Sequence, residues 1–452
     1  MYNCNVTLKS TDPKIYDLID AEEARQNETL MMIPSENYAS KEVREAVGSM
    51  LSNKYSEGYA NKRYYQGNEF IDEIEKLAMA RVKKVFGVPH ANVQPYSGSP
   101  ANAAVLFALL NPSDKILGMA LNFGGHLTHG HPKVTFSGRY FETSHYTTNK
   151  NGLIDYDEVE KLAKEFKPQL IISGATAYPR AIDFKRFGEI ADAVGAYHLA
   201  DISHIAGLVA AGVHQSPVEF AHVVMTTTHK TLRGPRGAVL MVTEKGLAKD
   251  PDLGSKIDKA VFPGLQGGPH NNTTAAIAVC MKEAQESSFK KYAKQVVENA
   301  KVLAEELTGY GFNLISGGTD NHLILIDITN KGLDGWTAAW GLDYAGIVLN
   351  RNAVPFDKRS AYYPSGLRLG TPAITTRGMG AKEMKMIAKW MNEVVEIAGE
   401  VAGKVVGADI DSEDSKVRQA ARKKFRNEIQ KDPRIKNIGA QIKDVCAGFP
   451  LP

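Results

Sequence analysis

The sequence predicts an α/β protein, with a mainly parallel sheet between helices followed by a smaller α+β unit. Three observations lead there. Short apolar runs, KILGM, QLIISG, YHLAD, HVVMT and AVLMV, have the length of buried strands. Amphipathic stretches such as DYDEVEKLAKEF and FGEIADAVG lie between several of them, and strand–helix–strand at that spacing builds a parallel sheet with helices on both faces. After Pro269 the texture changes to a long helical stretch over about 273–308, then GFNLISGG, HLILIDI, GLRLG and more helix.

The elements follow in order. Asp12-Pro13 ahead of KIYDLIDAEEARQ predicts a capped helix with proline at its first position. A second helix starts at Ser40. A third covers 69–86, with Phe70, Ile74, Leu77, Val82 and Phe86 as its apolar face and Gly87 as its stop. ANVQ reads as a strand and AAVLFALL as the helix after it. Later helices are expected at 337–344 and from Lys382. The organisation is an N-terminal helical arm (1–30), a large domain (31–280) and a smaller α+β domain (281–452), with the last boundary near 269–287.

At 452 residues the chain exceeds one ordinary domain of roughly 150 residues. Its 43% hydrophobic and 23% charged residues are those of a globular protein. A net charge of +3 is too weak to argue for nucleic acid. The one dense basic run, Arg418 to Arg426, reads as a solvated helix face, with an anion or partner site as the alternative. Cys4, Cys280 and Cys446 are far apart, which argues against a zinc cluster or disulfide framework and fits a reducing compartment. No secretory h-region and no stretch of ~18 apolar residues is present, so a cytoplasmic protein without a membrane span is expected.

Three motifs carry chemistry. In TTTHKTLRGPRG, Lys230 follows a β-rich run and precedes a glycine-rich turn. A lysine that attacks a carbonyl must lose its proton, and burial beside the cations His229, Arg233 and Arg236 would favour that. In YHLADISH, Asp201 ends an apolar strand, where open α/β sheets bind ligands, although a capping aspartate has the same signature. In QPYSGSPAN, small residues open a helix whose N–H groups can converge on a phosphate. Phosphate turn, acid and lysine, each at a strand end, are the fixings that a phosphorylated pyridoxal needs.

The segments IPSENYAS, NKYSEGYANKRYYQG, QPYSGSPAN, GGHLTHG, DISHIAGLVAAGVH, TTTHKTLRGPRG, FPGLQGGP, SGGTDNHL and SGLRLGTPAITTRG resemble the serine hydroxymethyltransferase family, in register from about residue 33 to 380. The resemblance implies an aminotransferase-like fold of type I, whose large domain carries a mainly parallel sheet of the seven-stranded type. It also implies an obligate homodimer with shared active sites, pyridoxal 5'-phosphate as cofactor, and conversion of serine plus tetrahydrofolate to glycine plus 5,10-methylenetetrahydrofolate.

Residue roles carry over by position. Lys230 would hold the cofactor covalently, Asp201 its pyridine nitrogen, and His126 would stack on its ring. His204 and Thr176 would lie near its phenolic oxygen; Thr176 stands where family members usually carry serine. Ser97, Gly98 and Ser99 would cradle the phosphate, with Gly267 and Gly268 arriving from the other subunit. Arg368, assisted by Ser35, would clamp the substrate carboxylate. Glu57 and Tyr55 look like an acid–base pair supplied across the dimer, with Tyr65 facing the lysine-bound cofactor and His229 on the substrate side. Leu121, Gly125, Leu127, Tyr64, Asn352 and the turn from Ser360 to Tyr362 would contact folate. A threonine-type aldolase or an α-methylserine hydroxymethyltransferase on the same scaffold is the nearest rival, and Glu57, Tyr64 and Asn352 favour the folate enzyme. A non-catalytic binding paralogue should have lost Lys230, Asp201 or Arg368, and all three are present.

Overall fold

The computed structural model describes residues 7–132 and 134–452; Cys4 lies outside the described residues. Seven strands form the larger sheet: β1 His90–Asn92, β2 Lys115–Met119, β3 Glu142–Tyr146, β4 Leu170–Ser173, β5 Tyr197–Asp201, β6 Val223–Thr227 and β7 Ala238–Val242. Their order is β1-β7-β6-β5-β4-β2-β3. From β6 to β3 all neighbours are parallel, and β7 runs antiparallel to β6 and β1. Every residue of β4, β6 and β7 is buried, which is why they read as unbroken apolar runs. The five expected runs fall on β2 and β4 to β7. β3 is ETSHY, an edge strand paired to β2 alone. Ladder hydrogen bonds hold it more than burial does, so a search for apolar runs passes over it.

Helices cover both faces. Ile171, Ala200 and Val224 pack toward α3 Glu69–Phe86, α5 Tyr156–Phe166 and α6 Phe184–Ala193. Ile172, Leu199 and Met225 pack toward α4 Gly98–Leu109. Ahead of these, α1 Pro13–Glu28 starts where Asp12 accepts from the Ile15 N–H at 3.1 Å, and α2 Lys41–Val47 starts after its Ser40 cap. The expected bounds of α3 hold, including a left-handed Gly87 at φ 71°. Its inward face differs: Ile71, Glu75, Ala78, Val82 and Phe86 are buried, whereas Phe70 is 75% exposed and Leu77 also faces out. The cause is Glu75, which accepts from Ala60 N–H (2.9 Å) and Gln94 (2.7 Å) and pairs with Arg63 (3.0 Å). That satisfied carboxylate occupies the core-facing position and displaces the first half of the inward face by one residue, while Val82 and Phe86 stay buried as expected.

The expected long helix is two, α7 Asn271–Glu283 and α8 Ser287–Gly309, broken at residues 284–286. α8 places Val296 in the core beside the large sheet and Leu303 and Leu307 in a second core. That second core lies on an antiparallel sheet of order β8-β9-β11-β10, formed by β8 Asn313–Leu314, β9 Leu323–Asp327, β10 Asn350–Asn352 and β11 Gly366–Gly370. It is completed by α9 Gly335–Tyr344, α10 Ala381–Val405, α11 Ser415–Ile429 and α12 Pro433–Ala447. Leu30 and Met32 join it from the other end of the sequence. The basic run on α11 is not simply a solvated face. Arg422 is buried, and the guanidinium groups of Arg422 and Arg426 lie over Trp336 and Trp340 of α9 at 4.6 and 3.6 Å. Among the described residues, no helix is long and apolar enough to cross a membrane.

Candidate active site

The site forms where β5 and β6 end and α4 begins. Ser97 precedes α4 and makes no side-chain cap hydrogen bond, so its hydroxyl and the first-turn N–H groups stay available. Gly98 lets α4 approach β6: a Cβ there would lie 2.7 Å from Thr227 Cγ2. Thr227 Oγ1 and His229 Nδ1 are buried at the cavity wall without a hydrogen-bond partner.

Asp201 is the last residue of β5 and is buried. Its Oδ2 accepts from Asn102 Nδ2 at 3.0 Å and lies 2.9 Å from His129 Nε2, while Oδ1 accepts from the Ser203 N–H at 3.1 Å. Burial pushes this carboxyl up, but the His129 hydrogen bond and charge, with His126 and Ser203, outweigh it and hold Asp201 far below the usual range. Asn102 also donates to Thr128 Oγ1 (2.8 Å), and the Thr128 N–H donates to His126 Nδ1 (3.2 Å). One chain of hydrogen bonds thus orients both the acid and the imidazole. Burial first, and then His129, press His126 down to about 4, so its ring is neutral at pH 7.

Lys230 follows β6 on the loop. Burial lowers its amine to about 8; Asp201 opposes the shift, and Arg368 and Arg236 add to it. Two of the expected cations do not act as the sequence implied. Arg233 lies over the Tyr292 ring at 4.2 Å, directed at α8. His229 is itself held neutral, at about 3, by burial and by Lys230. His204 stacks on His322, ring centroids 5.5 Å apart, with Nδ1 3.3 Å from Nε2. Burial first, with Lys230 nearby, keeps both uncharged.

Arg368 projects from β11. Its Nε donates to Asn350 Oδ1 (2.9 Å), opposite it on β10, and its Nη1 to the Thr176 carbonyl (2.6 Å). Burial lowers it to about 10, which leaves it charged at neutral pH. The Thr176 hydroxyl donates to the Gly124 and Gly125 carbonyls.

One cavity of about 510 Å³ collects Ser35, Ser97, Gly98, Ser99, Leu121, Gly125, His126, Leu127, Thr176, Asp201, His204, His229, Lys230 and Arg368. Tyr55, Glu57, Tyr64, Tyr65, Gly267, Gly268 and Asn352 do not line it. The first six gather elsewhere in the same chain. Tyr55 and Tyr65 meet edge to face at 5.2 Å, and Tyr64 meets Phe262 at 5.7 Å. Glu57 and Tyr55 lie 3.1 Å from where Cβ atoms on Gly267 and Gly268 would stand. Asn352 turns its amide to the Ala353 carbonyl. Sequence reasoning did not assign Asn102, Thr128, His129, Ser203, His322 or Asn350. The first five lie inside the recognised motifs, but their partnership with Asp201, His126 and His204 crosses 72 to 118 residues in the longest cases.

A buried lysine lowered to about 8 shares one cavity with an ionised carboxylate, an uncapped helix start and an arginine, a set of groups suited to an enzyme of lysine–carbonyl chemistry. Comparison with known families is specific: the family described as serine hydroxymethyltransferase matches residues 8–391. The chain belongs to the serine hydroxymethyltransferase family. It is similar to proteins of that name from Acidothermus cellulolyticus (59% identity over 388 residues, 86% of this chain and 89% of the relative) and Desulfotalea psychrophila (57% over 388 residues, with the same coverage). The one from Sorangium cellulosum is 51% identical over 446 residues, 98% of this chain and 96% of the relative.

Proposed function

We propose that this cavity holds pyridoxal 5'-phosphate on Lys230, and that the enzyme transfers the hydroxymethyl group of serine to tetrahydrofolate, giving glycine and 5,10-methylenetetrahydrofolate. The observation that carries the reading is Asp201, a buried carboxylate kept ionised by Asn102, His129 and Ser203 across the cavity from an amine lowered to about 8. The donor set fits the group. Ser97, Ser99 and the open first turn of α4 suit its phosphate, and the partnerless Thr227 Oγ1 offers one more polar contact. When bound, pyridoxal phosphate supplies the electron sink for the carbon freed by cleavage.

The chain's own residues do the rest. Asp201 would hold the proton on the pyridine nitrogen, and the neutral His126 ring would stack on the heterocycle. Arg368 takes the amino-acid carboxylate, assisted by Ser35. Asn350 and the Thr176 carbonyl fix its guanidinium plane beforehand, so little freedom is lost on binding. Leu121, Gly125 and Leu127 would offer the pterin an apolar rim; Asn352 and the turn that starts at Ser360 stand outside the cavity lining and would reach the rest of the folate without Tyr362, whose ring lines a separate cleft. The layout is read as the aminotransferase-like fold of type I.

The second subunit enters the same proposal. The cluster of Tyr55, Glu57, Tyr65, Gly267 and Gly268 stands beside exposed apolar surface at Tyr64, Phe107 and Leu265. Such a surface suits a second copy of the chain, and a two-fold axis would deliver each cluster to the partner's cavity. A homodimer in the cytoplasm is the assembly proposed.

Arg368→Ala should raise the serine and glycine concentrations needed for half-saturation while leaving cofactor binding intact. Removing one member of a buried charge pair costs roughly 3–5 kcal/mol, or at least about 10²-fold in affinity. Titration of glycine, followed by the visible absorbance of the holoenzyme, checks it; unchanged affinity would mean another anchor.

Glu57→Gln tests the function itself. Glutamine keeps the size of the side chain but cannot donate a proton as an acid to the departing hydroxymethyl oxygen. Folate-dependent serine cleavage should fall about 10²–10⁴-fold, while glycine binding is largely spared and folate-independent cleavage of allo-threonine suffers much less. Hybrid dimers of Glu57→Gln with Lys230→Ala subunits should regain one working site. Equal loss of both reactions would overturn the role of Glu57. Wild-type enzyme whose serine cleavage is indifferent to tetrahydrofolate would overturn the function.

A further inference from the structure

The basic run Arg418 to Arg426 plays no part in the reaction proposed above. On α11 its arginines recur every fourth residue, as do Trp336, Trp340 and Tyr344 on α9, so the two helices meet as a ladder of guanidinium groups over rings. Arg422 lies 4.0 Å from the Tyr363 ring centre as well as 4.6 Å from that of Trp336, and Arg426 Nε donates to the Tyr344 hydroxyl at 3.0 Å. The ladder explains why α11 docks. It does not explain the cleft beside it, whose volume of about 430 Å³ lies within the range of roughly 300–1,000 Å³ usual for small-molecule sites.

Tyr344 and Tyr362 give this cleft apolar walls, with the buried Trp336 at its base, while Arg422, Lys423 and Arg426 give it charge; no carboxylate lines it. The Arg422 side chain is 4% exposed; its Nη2 donates to Asp334 at 2.5 Å and lies 3.6 Å from Asp411, while its Nε and Nη1, packed between the Trp336 and Tyr363 rings, are buried with no hydrogen-bond partner. Lys423 and Arg426 form no ion pair among the described residues. Buried guanidinium donors without acceptors are rare in folded proteins, and a forked guanidinium suits phosphate geometry. A bare anion would leave the aromatic walls unused, and a neutral ring would leave the cations unmatched.

We propose that the cleft between α9 and α11 binds a small ring-bearing phosphate of the nucleoside diphosphate class. The ring lies against Tyr344 and Tyr362, and the phosphates meet Lys423 and Arg426 in front of the buried Arg422.

Calorimetric titration of the cofactor-loaded enzyme tests this, because its Lys230 cavity is then already filled. The probes are ADP, adenosine and inorganic pyrophosphate. ADP should bind once per chain and at least about tenfold more tightly than either fragment. Lys423→Gln removes an exposed cation, and Asn427→Asp brings a carboxylate to the lining; both leave the arginine ladder in place. Each should weaken ADP about tenfold or more, the scale of one lost charge-assisted hydrogen bond, with serine turnover unchanged. Absence of ADP binding, pyrophosphate binding as tightly as ADP, or wild-type affinity in both folded variants would each overturn the proposal.

Discussion

Lys230→Arg is expected to abolish turnover while leaving a folded protein that still binds phosphate-bearing ligands in the cavity. Arginine keeps the positive charge and most of the length, but a guanidinium is not deprotonated in proteins and cannot attack a carbonyl. Losing a covalent nucleophile costs on the order of 10⁴–10⁶-fold in rate. Turnover within tenfold of wild type would remove the central claim. The pH dependence of the wild-type lysine gives a second check. An amine whose pKa is lowered to about 8 is neutral in roughly one molecule in ten at pH 7, against fewer than one in a thousand for an ordinary lysine. Capture of an aldehyde by cofactor-free enzyme should therefore rise about tenfold from pH 7 to pH 9 and flatten above pH 8. A rise that continues past pH 10 would mean the amine is not lowered.

Asp201→Asn should lower turnover by about 10²–10³-fold, the usual cost of one preorganised electrostatic contact, and should weaken retention of the cofactor on dialysis. The substituted amide fits the space but has no negative charge with which to hold a pyridinium proton. The side chain also presents donors where Asn102 and the Ser203 N–H already donate, so its orientation cannot satisfy every neighbour. His126, whose position depends on the same hydrogen bonds through Thr128, should then be less well fixed. His129→Ala, which removes a supporting partner while leaving the carboxylate, should show a smaller loss of the same kind. Normal rate and normal cofactor retention in Asp201→Asn would mean that the acid acts elsewhere.

Much of this was determined by the sequence alone. Strands such as KILGM and AVLMV were legible because strands buried on both faces need continuous apolar runs, and α3 ended at Gly87 because a left-handed residue favours glycine. The composition of TTTHKTLRGPRG and YHLADISH marked Lys230 and Asp201, since unusual chemistry needs a local setting that sequence neighbours supply. The tertiary structure decided what depends on distant partners. The inward turn of Glu75 comes from Arg63 and Gln94, the ionisation of Asp201 from Asn102 and His129, and the fixed plane of Arg368 from Asn350 and Thr176. Arg233, which looked like a neighbour of Lys230, turns to Tyr292 because three residues along a loop can point in different directions. The burial of Arg422 depends on rings roughly sixty to ninety residues earlier in the chain. A residue's type and its near neighbours set what it can do, but burial and the charge of distant partners set its protonation and orientation, and only the fold brings those partners together.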